Sequence, residues 1–184
     1  MKATETKLKG CFILEPTKYS DSRGYFFESF NERTFNTLTG TETHFVQDNQ
    51  SFSTRGVVRG LHAQSGEHAQ AKLVRVLEGE VLDIAVDVRS GSPTFGEHVA
   101  VLLSKENNLQ LFVPRGFLHG FVVLSETATF FYKCDNFYNK ESECGVHPLD
   151  QDIAVDWQIP VAELLLSDKD REALSFKEVF GEKI

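Results

Sequence analysis

From His44 to Lys133 the chain is a succession of short runs rich in β-branched and aromatic residues, broken by turn residues with little helical period between them. That pattern restricts the fold to a β-sandwich or barrel, because such spacing leaves no room for the crossover helices that a parallel sheet needs. Gln70–Leu77 and Glu80–Val88 flank Glu78-Gly79, which reads as a tight hairpin turn. Further β-type runs are His44–Ser51, Val57–His62, Glu97–Leu103, Leu109–Val113, Gly120–Leu124 and Thr127–Lys133. Ser90-Gly91-Ser92-Pro93 and Asn107-Asn108 separate some of them. Helical period is confined to about Glu32–Thr37 and to the stretch after Pro160. The expectation is one domain over 1–184, with a barrel core at about 44–135, N-terminal strands at about 9–30 and a helical segment at about 160–184.

Alternation within the runs assigns faces. In VLDIAVDV, Leu82, Ile84, Val86 and Val88 share one face, and Val81, Asp83, Ala85 and Asp87 share the other. Lys72 falls in register with Val74 and Val76. A lysine in such a row usually snorkels out from a rim; the other reading is a buried cation lining a ligand cavity. Periodicity does not separate the two.

A formal net charge of −8 disfavours a phosphate-backbone partner, so no nucleic acid is expected, although a small phosphorylated ligand held by a few local cations is compatible with it. Cys11, Cys134 and Cys144 are odd in number and lack a CxxC pair, which argues against a disulfide framework and for a reducing, cytoplasmic home. The N-terminal apolar run is four residues long, short of a signal peptide or a membrane span. With no glycine-rich phosphate loop or dinucleotide fingerprint, no NAD or ATP cofactor is implied.

Two histidine segments stand out: Arg59-Gly60-Leu61-His62, and Pro114-Arg115-Gly116-Phe117-Leu118-His119-Gly120. The second has the form P-x-G-x-x-H and resembles the second motif of the cupin barrels. Many cupins bind a metal through two histidines one residue apart plus a glutamate. Here the corresponding run is His62-Ala63-Gln64, so a ligand is missing and no metal is expected.

Further segments extend the resemblance. Asp21-Ser22-Arg23-Gly24-Tyr25-Phe26-Phe27-Glu28, Gln47-Asp48-Asn49-Gln50-Ser51, Val58-Arg59-Gly60-Leu61-His62 and Lys72-Leu73-Val74-Arg75-Val76 appear in order. Ser92-Pro93-Thr94-Phe95-Gly96, Pro114 to Phe121, Phe131-Tyr132-Lys133 and Leu166-Ser167-Asp168-Lys169-Asp170 follow. The series, spanning about residues 10–171, resembles the dTDP-4-dehydrorhamnose 3,5-epimerase family. The resemblance implies an antiparallel jelly-roll (cupin) barrel with short flanking helices, a homodimer that exchanges N-terminal strands, and a dTDP-4-keto-6-deoxyhexose substrate. It makes His62 the base, Tyr132 the acid across the sugar ring, Asp170 the partner of His62, and Lys72 the cation at the C4 oxygen. It places Arg23, Glu28, Gln47, Asn49, Arg59, His119, Glu143 and Lys169 against the nucleotide sugar, with Arg23 and Glu28 supplied by the neighbouring subunit.

The set is chemically coherent. A proton beside a ketone is removable only if the enolate charge is stabilised as it forms. Histidine is a base near neutral pH, a fixed ammonium serves the oxyanion, and tyrosine returns a proton to the opposite face. Each residue also has a plain structural reading: His62 as a hydrogen-bonded core residue, Tyr132 or Tyr138 as packing, and the arginines as surface charge. Asp168, Asp170 and Asp83 all compete as carboxylates beside His62. The chain departs from the family at Ala63, where an aromatic is expected, in Gln64–Ala71 with its extra His68, and at Gly145-Val146-His147-Pro148. The effect of Ala63 and of the last departure on the sugar pocket, whether reshaped or widened, is left open by the sequence. The expected reaction is epimerisation at C3 and C5; the competing readings are a single-centre epimerase, a silent sugar-nucleotide-binding cupin and a metal-dependent cupin dioxygenase.

Overall fold

The computed structural model describes residues 1–181. The chain runs through β1 (Lys2–Glu5), β2 (Phe12–Glu15), the exposed hairpin β3 (Tyr19–Asp21) and β4 (Gly24–Phe26), and α1 (Glu32–Thr39). It continues through β5 (Gln47–Thr54), β6 (Val58–Gln64), β7 (Lys72–Glu78), β8 (Glu80–Asp87), β9 (His98–Ser104) and β10 (Gln110–Val113). Next come β11 (Phe117–Val123), β12 (Thr127–Cys134), β13 (Glu143–Gly145), α2 (Asp168–Arg171) and α3 (Phe176–Phe180).

Two antiparallel sheets face one another in a jelly-roll barrel. One has the strand order β1-β2-β10-β7-β12-β5 and the other β13-β6-β11-β8-β9. The interior row of β7 and β8 is as alternation predicts: Val74 and Val76 from one sheet meet Val81 and Ala85 from the other, with Phe121 and Phe130 stacked at 4.1 Å between ring centres. The opposite face of β8, with Leu82, Ile84 and Val86, is also buried, because Val146, Ile153, Trp157 and Phe176 of the C-terminal stretch cover it. That cover explains why β8 is buried on both faces. On the other sheet Leu73 and Phe112 pack against Phe35 of α1, a helix begun by Asn31, whose side chain caps the Thr34 amide, and ended by Gly40 in the left-handed region.

The structure corrects one turn. Glu78-Gly79 does not close a hairpin, since β7 and β8 belong to different sheets and pair with β10 and β12, and with β11 and β9, respectively. The turn is a corner between layers. Gly79 sits at φ +80 against the Thr127 carbonyl, where a Cβ would collide. Sequence alternation describes a sheet corner and a hairpin alike, so only the pairing separates them. After Pro160 the chain makes a short turn over Val161–Glu163 and then α2 and α3, connected by irregular backbone; residues 182–184 of the expected helical segment lie outside the described residues.

Candidate active site

The interior is not filled at one end. A cavity of about 620 Å3 opens between β5, β7 and β12 on one wall and β6 and β11 on the other, and residues 165–170 close part of its mouth.

β6 delivers two side chains to this cavity through an irregularity. His119 pairs with His62 and Phe121 with Arg59, so β6 carries one residue more than β11 over that interval. In an unbroken strand residues 59 and 62 would face opposite ways; with the extra residue both face inward, while Val58 and Leu61 pack in the outer cluster. The strands approach too closely at this point for a side chain. A Cβ on Gly60 would stand 2.5 Å from Gly120 Cα and 2.6 Å from the His119 carbonyl oxygen. Arg59 is then held by its Nε donating to Ser53 Oγ at 3.0 Å.

His62 is oriented from the C-terminal stretch. Leu165 is bound to the start of β6, its N–H donating to the Gly56 carbonyl at 2.8 Å and its own carbonyl accepting from Val58 N–H at 3.0 Å. That clamp sets α2, whose N-cap is Ser167, beside β6. Asp170 then lies 2.6 Å from His62 Nε2 through Oδ1 and accepts the Ser167 hydroxyl at 2.7 Å through Oδ2. Burial pushes the Asp170 carboxyl up, but the hydrogen bonds from His62 and Ser167 outweigh it and hold the group below its ordinary value. An ionised carboxylate only accepts, so Nε2 carries the proton and Nδ1 is the lone-pair nitrogen of the neutral ring. Asp168 points away, its side chain 96% exposed. Asp83 is not a partner of His62 either. Fully buried, it receives His119 Nε2 at 3.0 Å to each oxygen.

Lys72 lines the cavity and continues the inward row of Val74 and Val76, which pack in the interior core, so the rim reading is overturned. An inward lysine survives here because the cavity admits its head group. Burial lowers its ammonium pKa below 10.5, partly offset by neighbours that include Asp83 and Glu143. Its Nζ lies 5.9 Å from the Tyr132 ring centre. Tyr132 is on β12, in the sheet facing β6, and burial raises its phenol above 10.0. Tyr138 is 54% exposed, and its hydroxyl donates to Glu143 at 3.1 Å.

The sequence profile of the dTDP-4-dehydrorhamnose 3,5-epimerase family matches residues 5–178. The chain belongs to that family. A Shigella flexneri relative named dTDP-4-dehydrorhamnose 3,5-epimerase is 50% identical over 176 residues, covering 96% of each chain. The crystal structure of the Elizabethkingia anophelis enzyme of the same name superposes with a TM-score of 0.95 at 59% identity, covering 98% of both chains. A Legionella pneumophila dTDP-6-deoxy-D-glucose-3,5-epimerase, solved in complex with dTDP-4-keto-L-rhamnose, gives 0.91 at 46% identity, covering 100% of this chain and 98% of that one.

Of the residues the family resemblance singles out, the cavity of this epimerase-family chain brings together Asn49, Arg59, His62, Lys72, His119, Tyr132 and Asp170. Gln47 stands one step along β5, donating to Asn49 at 3.0 Å. Glu143 and Lys169 form an ion pair at 2.6 Å, with Glu143 on the strand that pairs with β6 at His62. Arg23 and Glu28 are elsewhere. Arg23 lies on the exposed β3–β4 hairpin against Asp21, its side chain 88% exposed, and Glu28 accepts from Asn31 at 3.3 Å. Because His62 faces inward, Ala63 turns outward and packs with the outer cluster. Sequence reasoning did not single out Ser51, Ser53 or Ser167. Alternation in QDNQSFST sets Gln47, Asn49, Ser51 and Ser53 on one face, and that polar inner row was a signal. Among the described residues, no group of three or more His, Cys, Asp and Glu is arranged to hold a metal ion.

Proposed function

We propose that this chain epimerises a dTDP-4-keto-6-deoxyhexose at C3 and C5, with His62 as base, Tyr132 as acid and Lys72 at the C4 oxygen. The observation that carries the reading is the placement of a carboxylate-backed imidazole on one wall of the cavity and a tyrosine and a lysine on the other. His62 Nδ1 takes the proton on carbon beside the ketone. The electron pair moves onto the C4 oxygen, whose developing charge the Lys72 ammonium, lining the same cavity as the Asp83-held His119, stabilises as a fixed positive group. Tyr132 then delivers a proton from the other side, and serving the two faces with different groups produces inversion. Burial keeps the tyrosine protonated and ready to donate.

Arg59, Asn49 and the serines of β5 suit the diphosphate and sugar hydroxyls. Arg23 and Glu28 belong to a second copy's site in this reading, a homodimer in which the β3–β4 hairpin, with Tyr19 66%, Tyr25 54% and Phe26 70% exposed, crosses to the neighbour. Three free cysteines suit a cytoplasmic enzyme. The relatives' names supply the nucleotide and the keto sugar.

The test is incubation with dTDP-4-keto-6-deoxyglucose in deuterated water, read by proton NMR. Deuterium at C3 and C5 with both centres inverted is expected, with kcat falling roughly 10²–10⁴ in His62→Ala. Exchange at a single carbon would make the chain a single-centre epimerase, and binding without exchange would make it a silent binder.

A further inference from the structure

Asp170 presents two carboxylate oxygens with different partners. Oδ1 receives His62 at 2.6 Å, and Oδ2 receives the Ser167 hydroxyl at 2.7 Å. The same serine oxygen accepts the Asp170 backbone N–H at 3.2 Å, so one side chain ties down both the carboxylate and the backbone that carries it. Ser167 itself lines the cavity. The aspartate's terminal torsion is broad, so a carboxylate held at one oxygen alone would rock, and the imidazole would rock with it. The short α2 cannot supply that rigidity, since four residues close scarcely one helical turn.

We propose that Ser167 is a positioning residue for His62, acting through Asp170. Its hydroxyl locks the plane of the carboxylate, which keeps the proton on His62 Nε2 and leaves Nδ1 aimed at the substrate. This rests on His62 being the base. The charged groups facing the pair are His62 from β6, Lys169 from α2, and Glu143 from β13, which Lys169 engages at 2.6 Å. Without the serine proton the carboxylate is less stabilised, so the pair takes up a proton more readily and activity is lost at a higher pH as the solution is acidified.

Three substitutions separate this role from helix capping. Ser167→Ala removes cap and donor, Ser167→Thr keeps both, and Ser167→Asp keeps the cap but has no proton to give Asp170. Solvent exchange into the keto sugar is measured against pH together with Tm. In Ser167→Ala, kcat falls roughly tenfold with KM little changed, as expected for losing a hydrogen bond to a charged group, and the acid limb moves up. Ser167→Thr restores both, and Ser167→Asp does not. Wild-type kcat and acid limb in Ser167→Asp, or a Ser167→Ala that lowers only Tm, would overturn the role. His62→Ala is run alongside: full activity there defeats the assignment of the base, whereas its inactivity beside an unaffected Ser167→Ala defeats Ser167 alone.

Discussion

A Lys72→Met substitution takes the ammonium out of the cavity while keeping an unbranched chain of similar length. The two consequences have opposite sign. In the proposed reaction, one preorganised donor to the enolate oxygen disappears, an effect of roughly 10²–10³ in kcat. In the fold, a charge whose surroundings disfavour it is replaced by apolar atoms in the row of Val74 and Val76. Exchange of buried charges for packed apolar groups stabilises by about 1–4 kcal/mol in favourable cases. The low end applies, because Lys72 keeps an opening to the cavity and its loss leaves Asp83 with His119 alone. About 1 kcal/mol raises Tm by about 2–4 °C in a domain of this size. The pH dependence follows from the depressed lysine. Below its folded pKa the ammonium is charged in both states and the full penalty applies. As pH rises from that value toward about 10.4, the folded lysine loses its proton first, the unfolded chain holds more protons, and the wild type closes the gap. The alkaline limb of wild-type kcat/KM, which reports the free enzyme, should lie below the ordinary lysine range for the same reason. Exchange kinetics and thermal melting across pH check both arms. A variant with normal kcat, or one that is inactive and also melts lower, would refute the reasoning.

Gly60→Ala forces a Cβ to within 2.5 Å of Gly120 Cα at a φ of +125, so it should cost about 3 kcal/mol in urea unfolding. It should also depress kcat by moving His62. Tyr132→Phe should retain hydrogen exchange at a substrate carbon but impair inversion, while Tyr138→Phe, whose hydroxyl only reaches Glu143, should invert normally; NMR of the product distinguishes them. Asp87 is fully buried and accepts from Arg89 Nε at 2.9 Å and Nη2 at 2.7 Å, and from the Ser92 and Thr94 hydroxyls at 2.6 Å each. Asp87→Asn should therefore destabilise by about 3–5 kcal/mol at neutral pH. The carboxyl is held below its usual range, so this contribution is complete above about pH 4 and fades as pH falls through the depressed value; chemical denaturation at several pH values measures it.

The strands of the barrel were legible because each keeps a period of two over several residues and ends at a turn. β5 to β12 all lie close to the runs read from sequence. β1 and β13 were not read, since three or four residues carry too little period to stand out from loop. The choice of Asp170 over Asp168 came from motif register, and the physical reason appears only in the fold, where the Leu165 clamp turns one carboxylate toward β6 and leaves the other in solvent.

By itself the sequence determined which residue types were available and which faces they shared: an imidazole after Arg59-Gly60-Leu61, a lysine in an apolar row, a tyrosine in a strand, and the family to which these motifs point. Local periodicity is a property of neighbouring residues and survives in a string of letters. Whether Lys72 looked inward or outward, whether Glu78-Gly79 joined two strands of one sheet or two sheets, and which aspartate served which histidine were decided by the tertiary structure. Those outcomes depend on what packs against each face from distant parts of the chain: the extra residue in β6 against β11, the C-terminal cover over β8, and a cavity left open where the two sheets part.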